Sequence, residues 1–270
     1  MPLHRNQVIA TYSDLAGQYD DPGNVHSCWT VHSDRIVASL RLKSHFHTVA
    51  EVGSGTGRAL HHLASRSHPT VRFIGVEPAE DMRRRALALN RSNPSVRIVD
   101  GTFETLPLEQ ASVDYLFSVD AFHWVRRPHR AVREMARVIN SSGEMDHFFN
   151  GRNIGQEFIQ ATTPVYMKYM GLRYLVEAAG MRQSFTKDEA LTLFAETFGA
   201  ERVQVDEIYQ TYFDTVDGHL GWWVRLQAQL LAIPVERRDE CEREIRAALA
   251  ALETDQGIPY TIHQLHVQVR

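Results

Sequence analysis

Glu51, in the stretch VAEVGSGTGR, stands two residues before the first of three glycines set two apart, Gly53, Gly55 and Gly57. A carboxylate at that point can pair with an ammonium group. Glycines remove Cβ atoms and admit positive φ, so a ligand can lie against bare backbone. A helix that follows offers free N–H groups and a partial positive charge. The spacing does not fit a dinucleotide fingerprint, which wants Gly-x-Gly-x-x-Gly: counted from Gly53 the third site is Arg58, and from Gly55 it is Leu60. A tight glycine turn that serves only helix–strand packing is the bland alternative. Glu77, in FIGVEPAEDM, closes a second apolar run, where a carboxylate can accept both hydroxyls of a ribose. SVDAFHWV closes another and brings His123, whose ordinary pKa of about 6.5 suits a base near neutral pH.

The elements that must position these groups are legible as runs. Val49–Val52, Val71–Val76, Val96–Val99 and Val113–Val119 are short, β-branched and without clean alternation, as strands buried on both faces are. Helical segments lie between and after them, at Arg58–Arg66, Glu80–Asn90 and Pro128–Ile139. Strand alternating with helix implies a parallel sheet wound by right-handed crossovers, with ligands at the carboxyl ends of the strands. Glu144–Phe149 reads as a fifth strand, and Val203–Phe213 and Tyr260–Val269 as two more. Val8–Tyr19 and Trp29–Leu40 have helical spacing, broken between them by DDPGN, and Val235–Leu252 is a charged amphipathic helix after Pro234. The expected fold is α/β: a doubly wound, mostly parallel seven-stranded sheet in one domain spanning 1–270. It divides into an N-terminal helical cover (1–42), a ligand-binding half (43–150), a helical insertion (151–200) and C-terminal strands and helices (201–270).

Composition excludes some classes. The chain has 270 residues, 43% of them hydrophobic, enough for one large core, and its net charge of -4 lacks the basic excess of a non-specific nucleic-acid binder. No stretch approaches the ~20 apolar residues of a membrane span, and the start has no apolar core of signal-peptide length. The two cysteines, Cys28 and Cys241, match no metal or redox spacing, so a reducing cytoplasm is the expected compartment. The fourteen histidines show no pair at metal-helix spacing with a third ligand, so no metal is expected. The run Arg83-Arg84-Arg85 reads as a solvated helix face. Monomer and homodimer are equally compatible with the sequence.

The glycine loop, Glu77, DGTFETLPL, SVDAFHWV and RAVREMARVINSSGE, in that order at successive strand ends, resemble class I S-adenosylmethionine-dependent methyltransferases, particularly the small-molecule group that includes ubiquinone/menaquinone-type enzymes. The likeness runs from about Thr48 to Glu144. It implies that Glu51 and the Gly53–Gly57 backbone, with Ser54, face the methionine part of S-adenosylmethionine, and that Glu77 holds the ribose. It puts Pro78 and Met82 near the adenine. Thr102, Phe103 and Glu104 stand where the family often has Asp-Ala-Glu, with the Phe103 N–H meeting the adenine and Val119 closing the strand beside it. Thr102 departs from the usual Asp, so a charge-assisted hydrogen bond is lost. Ser141-Ser142-Gly143 replaces Pro-Gly-Gly in a turn. S-adenosylhomocysteine would be the product.

Methyl transfer is an in-line displacement from an activated sulfonium, so positioning and water exclusion dominate, and a base is needed only if the acceptor must lose a proton. His123 is the titratable candidate; with Trp124 it also makes a packing corner, and both roles are open to it. Tyr12 and Tyr19 share a face of the N-terminal helix. In the resembling enzymes this helix closes over the sulfonium, which makes Tyr19 a candidate beside the methyl group and Tyr12 a candidate for the acceptor pocket, against ordinary core roles for both. His147, on the fifth strand, points to the same region. Tyr166 and Met170, in the insertion FIQATTPVYMKYMGLRYLVEAAGM, would roof that pocket, or simply form core. His263 and His266 should face solvent or a neighbouring strand. The expected activity is methyl transfer to a small-molecule acceptor in specialised (natural-product) metabolism; the alternative is a domain that binds S-adenosylmethionine in a regulatory or scaffolding role.

Overall fold

The first strand, β1 (Thr48–Val52), is buried at every residue, which is why its sequence shows no alternation. It pairs in parallel with β2 (Arg72–Val76) on one side and β4 (Val113–Val119) on the other. The computed structural model describes residues 5–20, 26–222 and 233–270. Beyond β2 lies β3 (Val96–Val99), and beyond β4 lie β5 (Ile139–Asn150), β7 (Ile258–Val269) and β6 (Val203–Asp214), giving the order β3-β2-β1-β4-β5-β7-β6. Only β7 runs against its neighbours, antiparallel to both β5 and β6. The seven strands expected from the sequence form one sheet. The order in which strands are added reverses between β1 and β4, the point where crossovers diverge and leave a crevice.

β5 begins five residues before the Glu144 expected for it. Helix Pro128–Val138, started by a proline at its first turn, runs straight into Ile139. The pairing partner then jumps from Ile139 to Glu144 while β4 advances from Val113 to Tyr115. Residues 140–143 are therefore a bulge, the changed turn at Ser141-Ser142-Gly143 absorbed into the strand. The long helix Gln156–Ala179 is interrupted at Gly171 (φ 76°, ψ 160°), and helix Lys187–Phe198 opens with a capping box between Thr186 and Glu189. Helix Arg238–Ala250 replaces the longer one expected from Val235, whose first turn is 3-10. The helices Arg5–Tyr19 and Cys28–Ser39 correspond to the two expected N-terminal ones. The break between them lies, after Asp20, outside the described residues.

Two large apolar cores result. One fills the face of the sheet under helices Pro128–Val138 and Lys187–Phe198 and includes Val52, Phe122, Met135, Phe149 and Phe194. The other joins Cys28, Phe158, Tyr166, Tyr169, Ile245, Tyr260 and Ile262 where β7 projects past the β5 pairing. A third packs helices Cys28–Ser39 and Arg58–Ser65 on the opposite face of the sheet. Among the described residues no helix is long and apolar enough to cross a membrane.

Candidate active site

Three glycines carry the chain from β1 to helix Arg58–Ser65, and they are glycine for different reasons. A Cβ at Gly53 would collide with the Cβ of Ala121, and one at Gly57 would lie 2.9 Å from both Ala86 Cβ and Asn90 Nδ2, so close packing excludes a side chain at both. At Gly55 (φ 53°) nothing lies within 4 Å. There the bare backbone faces open space with room for a ligand.

Glu77 touches Gly55 directly, and Glu51 lies close enough for the Glu77 charge to act on it. Glu51 is buried, 3% exposed, and its Oε2 has no hydrogen-bond partner. Burial, and then the neighbouring charge of Glu77, push its carboxyl well above the usual range. Glu77 is also buried, but its oxygens are engaged: Oε2 accepts from Gly55 N–H at 2.9 Å and Oε1 from Ala79 N–H at 2.8 Å. Burial raises its pKa and those two amides partly offset the rise. Arg83 donates to the Glu77 carbonyl at 2.9 Å and to Asp100 Oδ1 at 3.0 Å. It thus braces the end of β2 rather than lying on a solvated face.

The N-terminal helix covers the β2 end. Ala16, Ala79 and Met82 are buried together there, with Ile9 and Tyr12 packed against them, and Pro78 is partly buried beside them. After β3, Thr102 and Thr105 exchange backbone hydrogen bonds of 3.1 and 3.0 Å across a tight turn that presents Phe103 and Glu104. The Thr102 Oγ1 and the Ser54 Oγ are buried without hydrogen-bond partners. Phe103 packs its ring on Phe122 and His147, 5.4 and 5.6 Å away. Glu104 faces the other way: its Oε1 accepts from Arg126 N–H at 3.1 Å and its carbonyl from Arg130 Nε at 2.9 Å.

β4 ends at Val119, partly buried and paired with Phe148, and Asp120 follows in the left-handed region at φ 53°. Asp120 accepts from Ser33 Oγ at 2.9 Å and from Gln264 Nε2 at 3.0 Å, and Gln264 Oε1 lies 2.8 Å from His32 Nε2. This network was missed from the sequence, although an Asp directly after a strand is a residue type that tolerates positive φ. His123 sits in the 3-10 turn Phe122–Trp124, 4% exposed, with Nδ1 unpartnered and Nε2 3.4 Å from Asn150 Nδ2. Burial, and then the charge of Arg182, hold its pKa well below the ordinary value, so the imidazole is neutral. Trp124 Nε1 donates to the Tyr12 hydroxyl at 3.1 Å, and burial pushes that hydroxyl up to about 12. Tyr19 lies with its ring 6.3 Å from that of Tyr12 and is 42% exposed. The structure thus gathers Tyr12, Tyr19, His123 and Trp124 at the β4 end.

Other sequence candidates lie elsewhere. His147 is wholly buried among Phe103, Phe122, Phe149 and Phe194, neither nitrogen has a hydrogen-bond partner, and burial brings its pKa to about 3. Tyr166 and Met170 pack in the core that joins the insertion to β7. His263 is buried against β6, its Nδ1 accepting from Asn153 N–H at 2.9 Å, and His266 stacks on Phe148 with Nε2 2.7 Å from Asp146.

Residues 50–145 match the family of methyltransferase domains. An uncharacterized methyltransferase of Mycobacterium tuberculosis is 33% identical over 105 residues, 39% of this chain and 40% of that protein. The malonyl-[acyl-carrier protein] O-methyltransferase of Methylococcus capsulatus is 30% identical over 141 residues, 51% of each. The chain thus spans from two fifths to half the length of these curated relatives. Among solved structures, a protein from an antibiotic biosynthesis pathway of Anabaena variabilis shares the fold with a TM-score of 0.60 at 19% identity, over 92% of this chain and 99% of that one. Sheet order and the matched segment agree: the sheet is that of the Rossmann-like methyltransferase fold, and residues 50–145 within it match the methyltransferase-domain family.

Proposed function

We propose that the chain transfers a methyl group from S-adenosylmethionine to a small-molecule acceptor, in specialised metabolism. The observation that carries this is the Glu51 carboxylate, buried with one oxygen unpartnered near the end of the strand that leads into the open Gly55 turn. A buried acid in that condition is costly unless a cationic donor completes it, and an α-ammonium group would. The other end of the site also fits a nucleoside. Glu77 keeps lone pairs for a ribose diol, and the orphaned Thr102 Oγ1 has the lone pairs to accept from an adenine amino group.

When bound, S-adenosylmethionine supplies an electrophilic methyl group on a positively charged sulfur. The chain supplies position and dryness. Tyr12, hydrogen-bonded to Trp124, and Tyr19 close the donor site from the N-terminal helix. His123, kept neutral, orients an acceptor by hydrogen bonding; taking up a whole proton is disfavoured in its buried place. Tyr166 and Met170 are packed in the insertion core, and that core backs the acceptor side through Tyr260. The acidic net charge argues against a nucleic-acid acceptor.

Isothermal titration with S-adenosylhomocysteine tests the donor site, with binding expected for the wild-type chain and weakened binding for Glu51→Gln. Incubation with methyl-labelled donor and a small-molecule extract tests transfer. A labelled small product supports the enzyme; binding without any labelled product supports the regulatory alternative. No binding at all ends the assignment.

A further inference from the structure

We propose that Arg182 is the anchor of the acceptor, and that the acceptor carries a carboxylate. This rests on the methyl-transfer function proposed above and narrows its substrate class. Arg182 follows the interrupted helix, and its neighbour Gln183 is stitched twice to the histidine turn. The Gln183 N–H donates to the His123 carbonyl at 2.8 Å, and its Nε2 to the Val125 carbonyl at 3.0 Å. The arginine is thereby carried to the end of β4. Its Nε is fully enclosed and has no hydrogen-bond partner, and among the described residues no carboxylate pairs with it.

The groups around it explain why no internal partner answers. The charge of Arg182 is felt at Tyr12, Asp120, His123 and Tyr260 together. Asp120 is the nearby acid, and its two oxygens are taken by Ser33 and Gln264. The Tyr12 oxygen accepts from Trp124, which leaves its own hydrogen free to donate. A guanidinium whose Nε is unused, near enough to a hydroxyl with a spare hydrogen for its charge to act there, offers two kinds of donor to one planar anion.

The charge of that anion follows from its neighbours. His123 and His147 are both held neutral by burial, and His32 lies behind Asp120 on Gln264, so Arg182 is the cation that faces the histidine turn. One positive charge balances a monoanionic carboxylate, whereas a phosphate dianion would be left half neutralised beside Asp120. The surrounding rings of Trp124 and Tyr260 suit an apolar body behind the acid.

The test uses the full chain saturated with S-adenosylhomocysteine and titrated calorimetrically with benzoate, cinnamate and octanoate, then with their primary amides and with phenyl phosphate. At least one acid should bind the wild type, with its amide weaker by about tenfold or more. Arg182→Met should lose that acid by about tenfold or more while holding S-adenosylhomocysteine within about twofold, and Arg182→Lys should fall between. Thermal melts establish that each variant is folded; should Arg182→Met not fold, Arg182→Lys carries the comparison. Equal binding of acid and amide, tighter binding of phenyl phosphate, undiminished binding by the variants, or no acid binding at all would overturn the proposal. If S-adenosylhomocysteine itself fails to bind, the methyl-transfer function falls, and Arg182-dependent binding of the acids to the unliganded chain still supports the anchor.

Discussion

Glu77 clasps Gly55: one carboxylate oxygen accepts the glycine amide at 2.9 Å, while the other accepts the Ala79 amide at 2.8 Å. A single side chain therefore ties the loop after β1 to the loop after β2, and it is the side chain proposed above to hold a ribose. Glu77→Gln keeps one acceptor but turns an NH₂ group toward a backbone donor. We expect it to lose about 1–3 kcal/mol of stability in urea unfolding and to weaken S-adenosylhomocysteine at least tenfold in calorimetry. Unchanged affinity in a folded variant would show that the acid serves the loop alone.

The glycines separate fold from function. Gly53→Ala drives a methyl group into Ala121 and should destabilise the chain by about 1–3 kcal/mol. Gly55→Ala meets no neighbour and bears only the strain of its positive φ, about 1 kcal/mol, yet its methyl group occupies the ligand space. Paired melting and titration measurements should find Gly55→Ala nearly as stable as the wild type and defective in binding.

Glu51 should show the cost of readiness. Its folded pKa is raised above 4.5, so the folded chain retains a proton that the unfolded chain releases. The stability this provides is complete below about pH 4.5 and disappears as pH rises through the folded value. Glu51→Gln removes that dependence. Its advantage over the wild type should grow between about pH 5 and 8, reaching about 1–3 kcal/mol, while S-adenosylhomocysteine affinity drops. A variant less stable than the wild type at pH 8 would mean that the charged acid has a partner.

His147 has the opposite sign. Its folded pKa of about 3 lies below the ordinary 6.5, so acid favours the unfolded chain throughout that window. Each pH unit below 6.5 should cost about 1.4 kcal/mol, fully developed only near pH 3. Urea unfolding at about pH 7.5 and pH 5 should show His147→Phe losing about 2 kcal/mol less than the wild type on acidification. Equal losses would show that His147 already carries its proton in the folded chain.

The inner strands were legible because burial on both faces leaves short, mostly apolar runs without alternation, as in β1 and β4, and because strand ends collect glycines and acids. The reach of β5 was not, since Asn140 to Gly143 read as a turn and only the pairing with β4 makes them a bulge. Among the site residues, Glu51, Gly55 and Glu77 announce themselves by spacing. Arg182 does not: GMRQ is an ordinary loop sequence, and its enclosure depends on Gln183 finding the carbonyls of His123 and Val125, contacts across 58 or more positions that no local pattern encodes. The Asp120 network joins residues 87 and 144 positions apart for the same reason.

β6 and β7 stay paired over twelve register positions, while β5 accompanies only the last part of β7. Past that point the two strands form a ribbon with an apolar filling of its own, and among the described residues no buried side chain belongs to both that filling and the one around Phe122 and Met135. Volumes on the ribbon side can be exchanged without repacking beneath the glycine turn. A molecule divided in this way can vary the ribbon side while the loops after β1 and β2 stay as they are.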